Sequence, residues 1–247
     1  MFLQDQVAIV TGGGQGIGAG ISRTLAAYGA RVMITDINLS DAEAVAASLR
    51  TGGHDAIAVR QDVSNARSMD SVLNDTLKAF GSVDILVNNA GVAAQIPFDQ
   101  ITEQQWDHVT GINQRGLFFC SQAAGKLFKQ QRSGKIVNIS SFSGKKAVAE
   151  YTIYNATKAA AIMITQTMAL ELGPYNVNVN AICPGIVRTP IWDTLEPELW
   201  DRNAANIPLQ RGQTVEDIGE AVAFLASERA QNITGVVLGV TGGLAMF

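Results

Sequence analysis

Histidine and cysteine are scarce, with two of each in 247 residues. His54 and His108 stand far apart, and Cys120 and Cys183 sit in apolar surroundings with no CxxC pair. Such a chain cannot assemble an N/S metal cluster, a disulfide framework or a Ser-His-Asp triad, so no metal is expected at its site. Positive charge is also short. The 18 Lys and Arg against 22 Asp and Glu leave a net charge of −4. That balance argues against nucleic acid or an anionic membrane as a partner. No apolar run approaches the roughly 20 residues of a membrane span, and Met1–Gln6 lacks the regions of a secretory signal. A soluble, cytoplasmic protein is the expectation. With 16% charged and 47% hydrophobic residues, the chain is neither disordered nor a coiled coil.

What is present is alternation. Short apolar runs recur at Val7–Thr11, Arg31–Thr35, Ala56–Arg60, Ile85–Asn88, Lys135–Ile139, Val177–Ile182 and Gly235–Val240, with longer helical patterns between them. Runs apolar on both faces suit a parallel sheet covered by helices. Ser40-x-x-Glu43, Thr102-x-x-Gln105 and Thr214-x-x-Asp217 carry helix-start signals. Seven strands and about six helices predict an α/β fold with one doubly wound parallel sheet, a single domain over 1–247. Residues 188–211 break the alternation with Pro190, Pro197, Pro208 and two tryptophans. They predict a short substrate lid.

The first run leads into Gly12-Gly13-Gly14-Gln15-Gly16-Ile17-Gly18, and a helical pattern begins at Ile17. A strand, a glycine turn and a helix N-terminus make an anion site: glycine allows close backbone approach, and the first-turn N–H groups are partly positive. The spacing Gly12-x-x-x-Gly16-x-Gly18 is one residue wider than the common dinucleotide fingerprint, and it lacks the Lys-Ser/Thr ending of a nucleoside-triphosphate loop. Asp36 follows the second run, about 20 residues on, where an acid hydrogen-bonds an adenosine ribose and repels a 2′-phosphate. A turn cap over Asp36-Ile37-Asn38 is the other role open to it. With Gln15 where a basic residue could stand, the loop favours NAD over NADP.

Thr11-Gly12-x-x-x-Gly16-x-Gly18, Asn88-Asn89-Ala90-Gly91, Tyr154-x-x-x-Lys158 and Pro184-Gly185 together resemble the short-chain dehydrogenase/reductase family, over essentially the whole chain. The resemblance implies a single-domain Rossmann-type oxidoreductase that forms a homotetramer. Tyr154 and Lys158, four apart in a helical pattern, share one face, and an ammonium beside a phenol favours its ionised form. A tyrosine so adjusted removes a proton from an alcohol or returns one to a ketone. The spacing alone also fits ordinary surface packing. Ser141 has the offset of the family's serine that hydrogen-bonds the substrate oxygen, whereas Ser140 and Ser143 also read as strand-end turn serines. Asn113 matches the family's fourth catalytic residue, an asparagine that interrupts a long helix and holds a water linking the lysine to solvent. A simple kink beside Gly116 is the alternative.

The resemblance further implies that Asp62 and Val63 contact adenine, that Asn88 braces the sheet, and that Asn89, Ala90 and Gly91 line the cofactor. It places Val187 and Thr189 near the nicotinamide. The stretch from Pro184 to Trp192 is similar to that of acetoin/diol reductases, in which the tryptophan faces the substrate. Phe142, Ser143, Glu150, Tyr151, Trp192 and the lid residues Leu195, Leu199 and Trp200 are the pocket candidates. One departure is Thr241-Gly242-Gly243, where relatives often have Asp-Gly-Gly. The expected reaction is hydride transfer between NAD(H) and a secondary alcohol or ketone, with a small diol, polyol or hydroxyketone as substrate. An NADPH-dependent 3-oxoacyl-thioester reductase and a non-catalytic NAD-binding regulator are the rival readings.

Overall fold

Val7–Thr11 (β1) is buried at every position, as a strand covered on both faces must be. It is followed by Arg31–Asp36 (β2), Ala56–Arg60 (β3), Ile85–Asn88 (β4), Gly134–Ile139 (β5), Val177–Pro184 (β6) and Val237–Val240 (β7). The structure, a computed structural model, describes residues 1–189 and 197–247. Trp192 and Leu195 lie outside the described residues. All seven expected strands are present. The last begins at Val237 because the Val236 N–H is taken by the Asn180 side chain at 3.1 Å.

The helices are Gly16–Ala27 (α1), Leu39–Thr51 (α2), Ser68–Phe80 (α3), Glu103–Thr110 (α4), Leu117–Gln131 (α5), Thr152–Leu172 (α6), Pro197–Ala205 (α7) and Val215–Ala226 (α8). The count among described residues exceeds the expected six for two reasons. A π-helical segment, Gly111–Gly116, divides one long run into α4 and α5, and the stretch read as a lid contains α7. Thr102 and Thr214 form reciprocal capping boxes with Gln105 and Asp217, as their spacing predicts. Ser40 does not start α2. Asn38 caps that helix instead, accepting from Ser40 N at 3.2 Å, because the turn after β2 places the Asn side chain first.

The strands are all parallel in the order β3-β2-β1-β4-β5-β6-β7. Alternate residues feed opposite layers. Ala8, Val10, Ile85, Val87 and Val137 pack with α1, α2 and α8, whereas Ile9, Leu86 and Ile136 pack with Met69, Val72, Cys120 and Phe128 of α3 and α5. The chain reverses its direction of travel between β1 and β4. At such a switch point two loops diverge from neighbouring strand ends and leave a crevice. Among the described residues, no helix is long and apolar enough to cross a membrane.

Candidate active site

A cavity of about 790 Å³ occupies that crevice. One wall is the turn between β1 and α1. Gly12 has φ +61°, and a Cβ there would come within 2.8 Å of the Ala90 backbone. A Cβ on Gly18 would sit 2.1 Å from the Gly12 carbonyl oxygen and 2.5 Å from Asn89 Nδ2. Only glycine lets the two loops close on each other here. Asn89 Nδ2 donates to Thr11 O and Gly12 O, and Thr11 Oγ1 accepts from both Asn89 N and Ala90 N, which locks the loops together.

The N-terminus of α1 is unlike those of α2, α4 and α8. Its cap residue, Gln15, makes no side-chain hydrogen bond, and the first turn holds no acid. The leading N–H groups therefore face the cavity with their dipole uncompensated, the arrangement a diphosphate requires. The residues present thus fit a dinucleotide.

Asp36, at the end of β2, is buried and lines the same cavity. Its Oδ2 accepts from Gly14 N at 3.1 Å and its Oδ1 from Asn38 N at 3.0 Å. The turn-cap role is observed: Asp36 caps the turn and holds the glycine loop, and its carboxylate also borders the cavity. Gln15, Ile37 and Asp62 flank it, so among the described residues this end of the wall carries no cation.

The other end collects Ser141, Tyr154 and Lys158. Ser141 lies two residues beyond β5, and its Oγ accepts from Ser143 N at 3.1 Å, which leaves its own O–H free to donate. The Ser141 side chain favours the ionised form of the neighbouring Tyr154 phenol. Lys158 is buried, and its Nζ donates to Ile139 O at 2.9 Å while lying 5.5 Å from the Tyr154 ring centre.

The expected charge balance is corrected here. Burial pushes the Tyr154 phenol above its ordinary value and outweighs the opposing effect of Ser141. The ammonium, directed at a carbonyl, does not reverse this, so the phenol is held neutral. Burial also lowers Lys158 to about 8, so it remains mostly charged at neutral pH.

Asn113 lies in the π-helical segment and is buried. Its Oδ1 accepts from Val92 N at 2.8 Å, and its Nδ2 donates to Val92 O at 2.8 Å and Thr157 Oγ1 at 3.2 Å. The side chain ties the exit of β4 to the helix that bears Tyr154 and Lys158, and it is not part of the cavity wall. Asn88 braces the sheet from behind, donating to Ser121 Oγ and Asn138 Oδ1.

All the residues expected to hold the cofactor border this one cavity: Gly12, Gln15, Gly16, Ile17, Gly18, Asp36, Asp62, Val63, Asn89, Ala90, Gly91, Tyr154, Lys158, Val187 and Thr189. Phe142, Ser143 and Tyr151 border its other end. Glu150 does not, because its carboxylate turns outward to Gln95 at 2.7 Å. Trp200 does not either. Its ring packs on Gly212, with the Arg188 guanidinium 5.1 Å from the ring centre, and α7 presents Asn203 to the cavity instead. Val92, Ala93, Val148 and Asn203 were not anticipated. No motif marks them, since they reach the cavity through loop and lid placement.

A family model described as enoyl-(acyl carrier protein) reductase matches residues 12–245. An uncharacterised oxidoreductase of Mycobacterium bovis is 36% identical over 243 residues, 98% of each chain. The 3-oxoacyl-(acyl-carrier-protein) reductase FabG of Staphylococcus aureus is 38% identical over 240 residues, 97% of this chain and 98% of that one. A crystal structure from Sinorhizobium meliloti 1021, described provisionally as a short-chain alcohol dehydrogenase, superposes with a TM-score of 0.93 at 35% identity. The match covers 98% of this chain and 97% of that one.

Proposed function

The chain belongs to the short-chain dehydrogenase/reductase family and is an oxidoreductase; from that premise we propose that it interconverts a secondary alcohol and its ketone with NAD(H), acting on a small neutral diol, polyol or hydroxyketone. The observation that carries this reading is the sharing of one cavity by the uncapped start of α1, the Asp36 carboxylate and the Ser141–Tyr154–Lys158 trio. Nicotinamide-dinucleotide chemistry is the family's, and the bound cofactor supplies or accepts the hydride.

The chain's own residues manage the oxygen and its proton. Gly12, Gly16 and Gly18 with the first turn of α1 would hold the diphosphate, and Asp36 would hold the adenosine ribose. Ser141 donates to the carbonyl oxygen through the O–H that Ser143 leaves free. Tyr154, kept neutral by burial, gives its proton to that oxygen in the reduction direction and takes it back in oxidation. Lys158 offsets the charge left on the phenolate. Asn113 is a positioning residue, fixing the helix under both groups.

Among the described wall residues, Lys158 is the one cation, so no described residue beyond the catalytic lysine is suited to bind a phosphate or carboxylate at the substrate end. Ser143, Tyr151 and Asn203 offer polar contacts between Val92, Phe142, Val148 and Ile186, which suits a neutral oxygenated substrate. A cytoplasmic homotetramer completes the reading. Exposed Phe118 of α5 and Met163 and Leu170 of α6 supply apolar surface for subunit contacts.

A second reading, reduction of a 3-oxoacyl thioester, is favoured by the 38% identity to the staphylococcal enzyme. Initial rates on a panel of diols, hydroxyketones and 3-oxoacyl thioesters, with NADH and NADPH, separate the two. Turnover of a small hydroxyketone with NADH is expected, and turnover confined to acyl thioesters with NADPH would overturn the proposal.

The reduction rate has a predicted pH limb. Lys158 loses its charge as pH rises through about 8, whereas Tyr154 stays protonated there. The ketone-reduction rate is therefore expected to fall across that limb. Lys158→Met is expected to lower the plateau and remove the limb. A parent profile that is flat from about pH 7 to about 9.5 would contradict this account.

A further inference from the structure

Two loops form the rim at the substrate end of the cavity. Val92 and Ala93 line it on one side, Val148 and Tyr151 on the other. The loops are fastened to each other outside the wall. Gln95 Nε2 donates to Glu150 Oε2 at 2.7 Å, Tyr151 Oη donates to Gln95 Oε1 at 3.3 Å, and Ile96 N donates to Glu150 O at 2.7 Å. Asn155, next to Tyr154, donates from Nδ2 to Val148 O at 2.9 Å and ties this rim to α6.

Glu150 adopts φ +65°, in the left-handed region that a non-glycine residue occupies only at a cost in stability. That conformation turns both its carbonyl and its carboxylate towards the opposite loop. The side chain first expected to meet the substrate is instead committed to the facing loop.

We propose that Gln95 and Glu150 are positioning residues that set the width of the cavity mouth and so select small ketones over bulky ones. The proposal rests on the oxidoreductase reading above. Gln95 uses both ends of one amide, its N–H towards Glu150 and its carbonyl towards Tyr151, whose ring stands 6.1 Å from that of Tyr154. Without these side-chain bonds the loops are left fastened by the Ile96 N–Glu150 O backbone bond, so the wall formed by Val148 and Tyr151 is held less tightly against Val92 and Ala93. Ser141 and Lys158 keep their own hydrogen bonds, neither of which passes through Gln95 or Glu150.

The test compares kcat/KM for an aryl ketone with kcat/KM for acetoin in the parent, Gln95→Ala, Glu150→Gly and Glu150→Gln. Both residues are exposed, so the variants are expected to fold. Gln95→Ala and Glu150→Gly are expected to raise the aryl-to-acetoin ratio about tenfold through a lower KM for the aryl ketone, with kcat for acetoin within about twofold of the parent. Glu150→Gln keeps an oxygen that accepts from Gln95 and is expected to retain the parental ratio. A ratio unchanged or lowered in both clasp-breaking variants overturns the proposal while leaving the oxidoreductase reading intact. A parent that reduces neither ketone with either nucleotide overturns both this proposal and the small-ketone substrate reading on which it rests.

Discussion

Tyr154→Phe is expected to lower ketone turnover on the order of a thousandfold while dinucleotide affinity stays near that of the parent. The substitution removes one hydroxyl from a ring that otherwise keeps its place against Lys158 and Tyr151. That hydroxyl belongs to the cavity wall beside Ser141, so its loss leaves the substrate oxygen without the acid that protonates it. A thousandfold loss corresponds to about 4 kcal/mol of transition-state stabilisation, within the range of a lost general acid. Stopped-flow single turnover gives the chemical step, and quenching of protein fluorescence by NADH gives the binding. A variant as fast as the parent would remove Tyr154 from the mechanism. Lost NADH binding would show instead that the phenol holds the cofactor.

Asp36→Asn is expected to shift the NADPH-to-NADH preference by about five- to thirtyfold towards NADPH, as about 1–2 kcal/mol of repulsion is removed. Two like charges about 5 Å apart repel by about 3 kcal/mol at an effective dielectric of about 20, and solvent and salt at the cavity mouth screen part of this. Asparagine is chosen because Asp36 also accepts from Gly14 N and Asn38 N. Alanine would discard both bonds and loosen the glycine loop, confusing selectivity with stability. Asparagine keeps one acceptor and turns an amide group towards the other N–H, which costs about 1–3 kcal/mol for a group left unpaired. A lower melting temperature is therefore expected beside the altered ratio. An unaltered ratio of kcat/KM for the two nucleotides would show that Asp36 serves the turn alone.

Much of the fold was legible because the relevant signals are local. The seven apolar runs, the Thr102 and Thr214 caps and the glycine turn each depend on residues within a few positions of one another. The Ser40 signal misled because Asn38, two residues earlier, caps the helix first and accepts from the Ser40 N–H itself. At the site, the joint motif pattern pointed to one cavity, and the residues it named for the cofactor border one. Asp36 had two readings in the sequence; both of its carboxylate oxygens accept from backbone N–H groups of the turn and the glycine loop, and the group also borders the cavity.

The sequence by itself determined the order of strands and helices along the chain, the unsheathed helix start after Val7–Thr11, and the shared face of Tyr154 and Lys158. These follow from backbone sterics and from periods of two or 3.6 residues, which act over short stretches of chain. Only the tertiary structure decided that the β1 and β4 loops close on Gly12 and Gly18, that burial raises the Tyr154 phenol, and that Glu150 turns to Gln95. Each of these depends on what a segment tens of residues away brings into contact, and on how much water it displaces. Neither desolvation nor long-range contact leaves a period in the sequence.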